Sequence, residues 1–385
     1  MFISETLRRF TRSEQFGGVL LMACTAVSLA LANSPVGDAW IGFWHLKLGP
    51  LSVEHWINDA LMAVFFLMIG LELERGIYVG ALSEWRNALL PAFAAVGGMV
   101  APALVHLGFN AGTEAEPGFG IPMATDIAFA LAVMALLGPR IPAALKLFVV
   151  AYAIIDDLGA IVLIATVYTA EISATWLALA LGTWAALLLL NRTLHAMTLA
   201  LYLIGGVFLW YCVFRPGIHA SIAGVMLAFA VPFSAQAAEA ESPSHRLERW
   251  LHNPVAYVIL PLFALANTCV VVDSVALRLL GEANSLGIGL GLIVGKPLGI
   301  VLMCWAAVAT GICKLPQQVR WSHVVGAGIL GGIGFTMSIF ITNLAFAIMP
   351  AQIASSKLAV LVASLVSGLM GLLWLSKTPA SPRVE

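Results

Sequence analysis

Long apolar stretches separated by short polar segments dominate this chain. The runs Leu147–Tyr168, Leu286–Ala307, Val324–Ala347 and Leu358–Leu375 each reach or approach the roughly 20 residues that a helix needs to cross about 30 Å of hydrocarbon. The same pattern predicts twelve spans, at about 15–33, 56–73, 88–109, 119–137, 147–169, 175–191, 198–213, 217–234, 254–272, 286–308, 322–347 and 356–376. The fold class is therefore an all-α polytopic membrane protein. The polar connections are short, so residues 1–385 read as one membrane domain.

Two connections have patterns of their own. Trp44–Glu54, "WHLKLGPLSVE", carries two short alternating stretches around Gly49-Pro50, which fits a β-hairpin or an irregular loop. Gln236–Asn253 concentrates Glu239, Glu241, His245, Arg246, Glu248, Arg249 and His252; by composition alone it is a solvated linker.

Composition agrees with the spans. Of the 385 residues 61% are hydrophobic and 10% charged, against about a quarter charged in a soluble domain. The placement of the positive charges gives orientation. With the N-terminus cytoplasmic, the inside segments collect Arg8, Arg9, Arg12, Arg75, Arg86, Arg140, Lys146, Arg192, Arg246, Arg249, Lys314, Arg320, Lys377 and Arg383, while the outside receives Lys47, Arg215, Arg278 and Lys357. This asymmetry puts both termini in the cytoplasm. Nothing points to a nucleic-acid partner.

The start of the chain imitates a signal peptide, with three arginines before an apolar run that ends Ala30-Leu31-Ala32. Cleavage there would leave eleven spans and place the two ends on opposite sides, in conflict with the later loops, so the first helix is expected to be retained. The five cysteines have no metal-ligand spacing and read as small apolar residues.

Four ionisable residues lie at membrane depth, where one costs on the order of 2.5–3.5 kcal/mol on the insertion scale. They are Asp126, Asp156, Asp157 and Lys296. Adjacent helix residues point about 100° apart, so Asp156 and Asp157 face different surroundings. Pairing Lys296 with one of them offsets part of the desolvation cost of both. The other aspartate, with Asp126, is then left as an acceptor for a mobile cation or a proton. A structural salt bridge alone accounts for Lys296 and one aspartate, not for three carboxylates.

Backbone signals converge on the same depth. Pro122 precedes Thr125-Asp126, and "GAGILGGIGFTMSIF" carries Gly326, Gly328, Gly331, Gly332 and Gly334; both spans are predicted to be broken. Irregular backbone at that depth survives only when buried in protein or lining a cavity. The two breaks also resemble each other, Thr125 and Phe129 in one matching Thr336 and Phe340 in the other. Paired interrupted helices are a pointer to a transport site. Gly326–Gly331 fits GxGxxG but has no strand unit before it, and "GLIVGKP" misses the phosphate loop in spacing and in the residue after lysine. No ATP site is present, and transport would be driven by gradients.

"WINDALMAVFFLMIGLELER", "IPMATDIAFALAVMALLG", "AIIDDLGAIVLIA", "GIHASIAGV", "LPLFALAN", "GKPLGI" and "GGIGFTMSIF", in this order over residues 56–340, resemble the NhaA-type Na+/H+ antiporters. The resemblance implies inverted-topology repeats with two broken helices crossing near the bilayer midplane. It implies a core bundle of 88–169 with 286–376 and an interface bundle of 15–73 with 175–272. Asp157 becomes the main Na+ or Li+ carboxylate, with Asp126 and Thr125 beside it. Asp156 pairs with Lys296, and Asp126 and Lys296 balance the half-helix dipoles.

Desolvation disfavours a carboxylate's charged form, so one site can hold either H+ or Na+. Alternating access then exports Na+ as H+ enters, with no cofactor and no enzymatic step, and either Asp156 or Lys296 serves as a further proton carrier.

The resemblance further implies a bacterial inner-membrane location and homodimers joined through the outside hairpin. Alkaline activation maps onto Glu72, Glu74, Arg75, Glu241, Glu248 and His252, with His219 at the family's histidine position. His219 also reads as a helix-end histidine bonded to backbone. Two departures fall in this group, Gly76 where the family pattern has a second glutamate and Arg249 where it has a histidine. A Na+-coupled symporter or a cation channel would share the acidic pocket. An intramembrane aspartyl protease would leave Lys296 unexplained, and a non-transporting scaffold would tolerate loss of all four ionisable residues.

Overall fold

Hydrocarbon offers no partner to a backbone amide, so a spanning segment has to satisfy its own polar groups, and the helix does so within one segment. The computed structural model, which describes residues 2–80, 83, 85–168, 173–193, 197–215, 219–234 and 242–378, is accordingly built of helices. Their order begins α1 (Phe2–Ala32), α2 (Gly37–His45), β1 (Lys47–Leu48), β2 (Leu51–Ser52), α3 (Val53–Trp56), α4 (Met62–Tyr78) and α5 (Trp85–Asn110). It continues with α6 (Ile127–Leu136), α7 (Ala143–Val167), α8 (Ala174–Arg192), α9 (Leu199–Phe214), α10 (Ser221–Ala228), α11 (Pro243–Pro254) and α12 (Leu260–Asn267). The last six are α13 (Ser274–Leu279), α14 (Ala283–Leu290), α15 (Lys296–Ala309), α16 (Trp321–Gly331), α17 (Phe335–Ala345) and α18 (Pro350–Lys377).

Seven helical stretches are long and apolar enough to cross a membrane, one of them the interrupted Glu116–Leu136, and two bent pairs bring the number to nine among the described residues. The bent pairs are Gly17–Ala32 with Gly37–His45, at 115°, and Trp321–Gly331 with Phe335–Ala345, at 42°. The sequence pattern predicts twelve. The difference lies in three stretches whose helices are short: α9 has 16 residues, α10 has 8, and the apolar part after Pro254 is a π-turn, Val255–Ile259, followed by α12.

The segment Trp44–Glu54 adopts the hairpin. β1 and β2 pair antiparallel, Lys47 opposite Ser52 and Leu48 opposite Leu51, around Gly49-Pro50. Trp56 Nε1 donates to Leu48 O at 2.8 Å and fastens the hairpin to α3.

The chain divides into two compact units, Met1–Val36 with Glu84–Ala160 and Thr268–Glu385, and Gly37–Ser83 with Ile161–Asn267. The first unit contains both broken helices and all four ionisable residues singled out at membrane depth. It also contains α1, whereas the grouping implied by the resemblance set residues 15–33 with the other bundle. The physical reason is a small-residue contact, since a side chain on Gly18 would meet Cβ of Ala132 in α6 at 2.5 Å. In the same unit α5 and α15 touch backbone to backbone. A Cβ added to Gly299 would stand 2.0 Å from Gly97 O. This approach, one turn beyond Lys296, sets how deeply that lysine enters the unit.

Candidate functional site

Each break in the first unit creates the same problem, a helix end whose amides or carbonyls lack an intrahelical partner. In one, a tight 3₁₀ coil over Glu116–Met123 gives way to extended backbone at Ala124 and Asp126 before α6 begins. In the other, α16 ends at Gly331 and α17 starts at Phe335. The breaks lie against each other, with Asp126 N donating to Ile333 O at 2.6 Å.

Asp126 serves both new N-termini. Its Oδ1 accepts from Phe129 N at 3.0 Å and caps α6, while its Oδ2 accepts from Thr336 N at 3.1 Å and Thr336 Oγ1 at 2.6 Å at the start of α17. A carboxylate suits that position because helix N-termini carry partial positive charge. The C-terminal ends receive donors. Thr125 Oγ1 donates to Gly331 O at 3.1 Å, and Lys296 Nζ donates to Met123 O. Ser338 Oγ adds a bond to Ile121 O at 2.6 Å.

Lys296 also joins this crossing to α7. It is fully buried, and its Nζ lies 2.8 Å from Asp156 Oδ2, which also accepts from Thr125 Oγ1 at 2.8 Å. Asp156 Oδ1 accepts no hydrogen bond among the described residues. A buried ion pair holds only when its geometry is good and further hydrogen bonds serve its remaining valences, and Thr125 and Met123 O supply two of these. Asp157 is buried as well, at 2% exposure, and lies within electrostatic reach of Lys296 without taking the Asp156 position. The sequence thus places Thr125, Asp126, Asp156 and Lys296 in one bonded network, with Asp157 on the next face of the same helix. Carboxylate and hydroxyl oxygens of this kind suit a hard cation or a proton.

Thr336 was legible only as half of an internal match, and its double bond to Asp126 makes it part of the network. Tyr152, one turn before Asp156, was not singled out, although its i−4 spacing to Asp156 puts it on the same helix face.

The second unit holds the residues implied in pH response, in two separate places. Arg75 Nε lies 3.1 Å from Glu248 Oε1, Glu72 feels the Glu248 charge, and Glu74 Oε2 accepts from Ser244 Oγ at 3.3 Å. From Pro243 onward the segment expected as a linker is the helix α11, capped by Ser242; residues 236–241 lie outside the described residues. Burial holds Glu248 above the usual carboxylate range, against the opposing pull of Arg75, His245 and Arg249. Burial, and then the Arg75 charge, hold His252 below the usual histidine range. Glu241 lies outside the described residues. His219 is elsewhere, with Nε2 3.3 Å from Asp59 Oδ1 and Nδ1 2.9 Å from Ser221 Oγ. Asp59 and Glu72 are separated by roughly 20 Å of helix at 1.5 Å per residue.

A polytopic helical protein with buried charges collected at two interlocked helix breaks has the hallmarks of a gradient-driven secondary transporter. The model of the family described as Na+/H+ antiporter 1 matches residues 8–375, and the chain belongs to that family. It is 57% identical over 374 residues to the Na(+)/H(+) antiporter NhaA of Dechloromonas aromatica, covering 97% of this chain and 96% of the relative. The protein of the same name from Cytophaga hutchinsonii is 50% identical over 382 residues, 99% of this chain and 98% of the relative. That of Vibrio campbellii is 47% identical over 371 residues, 96% and 94%. Membership makes the chain a multi-pass membrane transporter and not an enzyme.

The double cap gives a stability prediction. Asp126→Ala removes both N-terminal acceptors, whereas Asp126→Asn keeps one amide oxygen for one of the two ends. At about 1 kcal/mol per lost cap, and more for a donor left buried, thermal unfolding of detergent-solubilised protein should rank wild type above Asp126→Asn above Asp126→Ala. An alanine variant as stable as wild type would contradict the double cap.

Proposed function

We propose that this protein is a pH-regulated, electrogenic antiporter that exports Na+ or Li+ in exchange for inward H+. The observation that carries this reading is the charge balance at the interlocked breaks, where three buried carboxylates stand against one buried lysine. Asp126 is committed to helix caps and Asp156 to Lys296. Asp157, buried on the next face of α7 within the field of Lys296, is the carboxylate that takes Na+ or H+ in competition in this reading. Thr125 and Asp126 offer neighbouring oxygens whose lone pairs can turn to the cation. Release of Asp156 from Lys296 lets either residue serve as a further proton carrier, and unequal numbers of H+ and Na+ make the exchange electrogenic. Twelve spans in inverted repeats, crossing near the bilayer midplane, would let the site open alternately to each face. The location that fits is a bacterial inner membrane with both termini cytoplasmic.

Proteoliposomes with an internal pH dye test this directly. Addition of Na+ or Li+ should move protons in wild type, and Asp157→Asn should abolish the movement. Retained Li+/H+ exchange in that variant would remove Asp157 from the site. Sodium flux without proton movement would favour the symporter or the channel.

The Arg75–Glu248 pair is the proposed pH-responsive element. Because burial raises Glu248, its carboxyl stays neutral to higher pH than an exposed one, and Arg75 gains its partner only as pH rises. Gly76 and Arg249 alter the charge around this pair relative to the family pattern. Glu248→Gln removes the pair at every pH. It should move the half-activation pH by roughly half a unit or more while leaving the plateau rate intact; a superimposable pH profile would exclude the pair from regulation.

The hairpin is proposed as the dimer contact. Deletion of Lys47–Ser52 should leave exchange unchanged and convert the purified protein to monomers in light scattering, and persistence of the dimer would refute this role.

A further inference from the structure

Tyr152 brings a phenol into the crossing that the proposed exchange does not use. It lies on α7 one turn before Asp156, is fully buried, and its ring tilts against Phe148 with centroids 5.6 Å apart. Its hydroxyl donates to Ala327 O at 3.4 Å, in the last turns of α16, and stands within interaction range of Thr125 and Asp156. The phenol oxygen also occupies the space beside Gly331. A Cβ on that glycine would be 2.8 Å from Tyr152 Oη and 3.0 Å from Ile300 Cδ1 but 3.6 Å from Tyr152 Cζ, so its conflict with the tyrosine is with the oxygen and not with the ring. Gly331 is the residue whose carbonyl receives Thr125 Oγ1.

Packing alone does not explain the oxygen. Phenylalanine would fill the same ring volume without burying a hydroxyl, and a buried hydroxyl with one long hydrogen bond costs stability. The oxygen sits where α7, the end of α16 and Thr125 meet. Thr125 has a single hydroxyl hydrogen and two acceptors for it, Asp156 Oδ2 and Gly331 O.

We infer that Tyr152 is a positioning residue for the ion site, its hydroxyl tying α7 to the C-terminal end of α16 and so fixing Thr125 between Gly331 and Asp156. The inference rests on the antiport reading, because Thr125 and Asp156 matter to transport only there. Loss of the hydroxyl loosens the oxygen arrangement that meets the cation, so it changes cation affinity more than turnover. A change in KM at constant maximal rate is the mark of lost binding common to ground and transition states.

Tyr152→Phe in proteoliposomes should raise the apparent KM for Na+ by about threefold or more, with the maximal rate kept within about twofold. Tyr152→Leu, which also removes the ring, should lower the melting temperature in addition. Gly331→Ala should raise KM by displacing the phenol, and the same alanine should add less in the Tyr152→Phe background, where the flexible end of Ile300 is the one tight contact left. Stabilisation of the detergent-solubilised protein against heat by increasing Na+ or Li+ reads cation affinity without transport, and its midpoint should shift in the same direction.

A Tyr152→Phe protein with wild-type KM and wild-type Na+ midpoint overturns the inference, as does one that loses thermal stability with both unchanged. An equal effect of Gly331→Ala with and without the phenol also overturns it. Wild-type protein that shows no exchange counts against the antiport reading, and the heat-stabilisation midpoints still decide on Tyr152.

Discussion

The constraint on which the first unit depends is the satisfaction of backbone polar groups where no water is at hand. Breaking two apolar helices exposes two amide ends and two carbonyl ends, each costing on the order of kcal/mol if left bare. The chain resolves this by laying the breaks against each other and sharing the partners. One carboxylate, Asp126, serves both amide ends, and two donors, Lys296 and Thr125, serve the carbonyl ends. Burial of Lys296 then requires Asp156, and Asp156 draws in Thr125. The charged network follows from the breaks.

This order of cause explains how much of the site was legible. Charge in an apolar run is conspicuous because it is costly, so Asp126, Asp156, Asp157 and Lys296 stood out from the sequence. The breaks were legible from Pro122 and the glycines of "GAGILGGIGF". Which aspartate meets Lys296 was a choice between neighbours 100° apart, open to spacing and supplied as an expectation by the resemblance. Tyr152 and Thr336 gave no comparable signal, because an uncharged hydroxyl or phenol in a helix is ordinary in core positions and acquires meaning only from what it touches. The span predicted at 198–213 matches the 16 residues of α9, whereas those at 217–234 and 254–272 hold the short helices α10 and α12 among the described residues, since hydropathy does not register where a short helix or a π-turn interrupts an apolar run.

The second unit shows the same physics with a different outcome. Residues 242–254 look like a polar linker by composition, yet a Ser242 cap and a sharply sided helix bury Leu247 and Leu251 and bring Glu248 to Arg75. Glu248 is thereby partly desolvated without being locked, as Asp156 is, into several hydrogen bonds. Burial holds such a carboxyl above the usual carboxylate range, against the opposing pull of Arg75. Composition gives the charges of such a segment, and only the helical register decides which of them become buried and paired.

The adjacency of Asp156 and Asp157 is best understood through that distinction. A carboxylate that accepts from a lysine and a threonine is held in one charge state by its partners, and releasing it costs the bonds it makes. Its neighbour, turned about 100° around the same helix, shares the electrostatic field of Lys296 but not its hydrogen bonds to the lysine. Two adjacent residues therefore differ in how they meet the lysine. One anchors the lysine that closes the helix break, and the other is the carboxylate that the proposed exchange assigns to the cation. Under the proposed exchange, placing them side by side couples the two, because a positive ion at Asp157 would repel the ammonium of Lys296 and weaken its hold on Asp156.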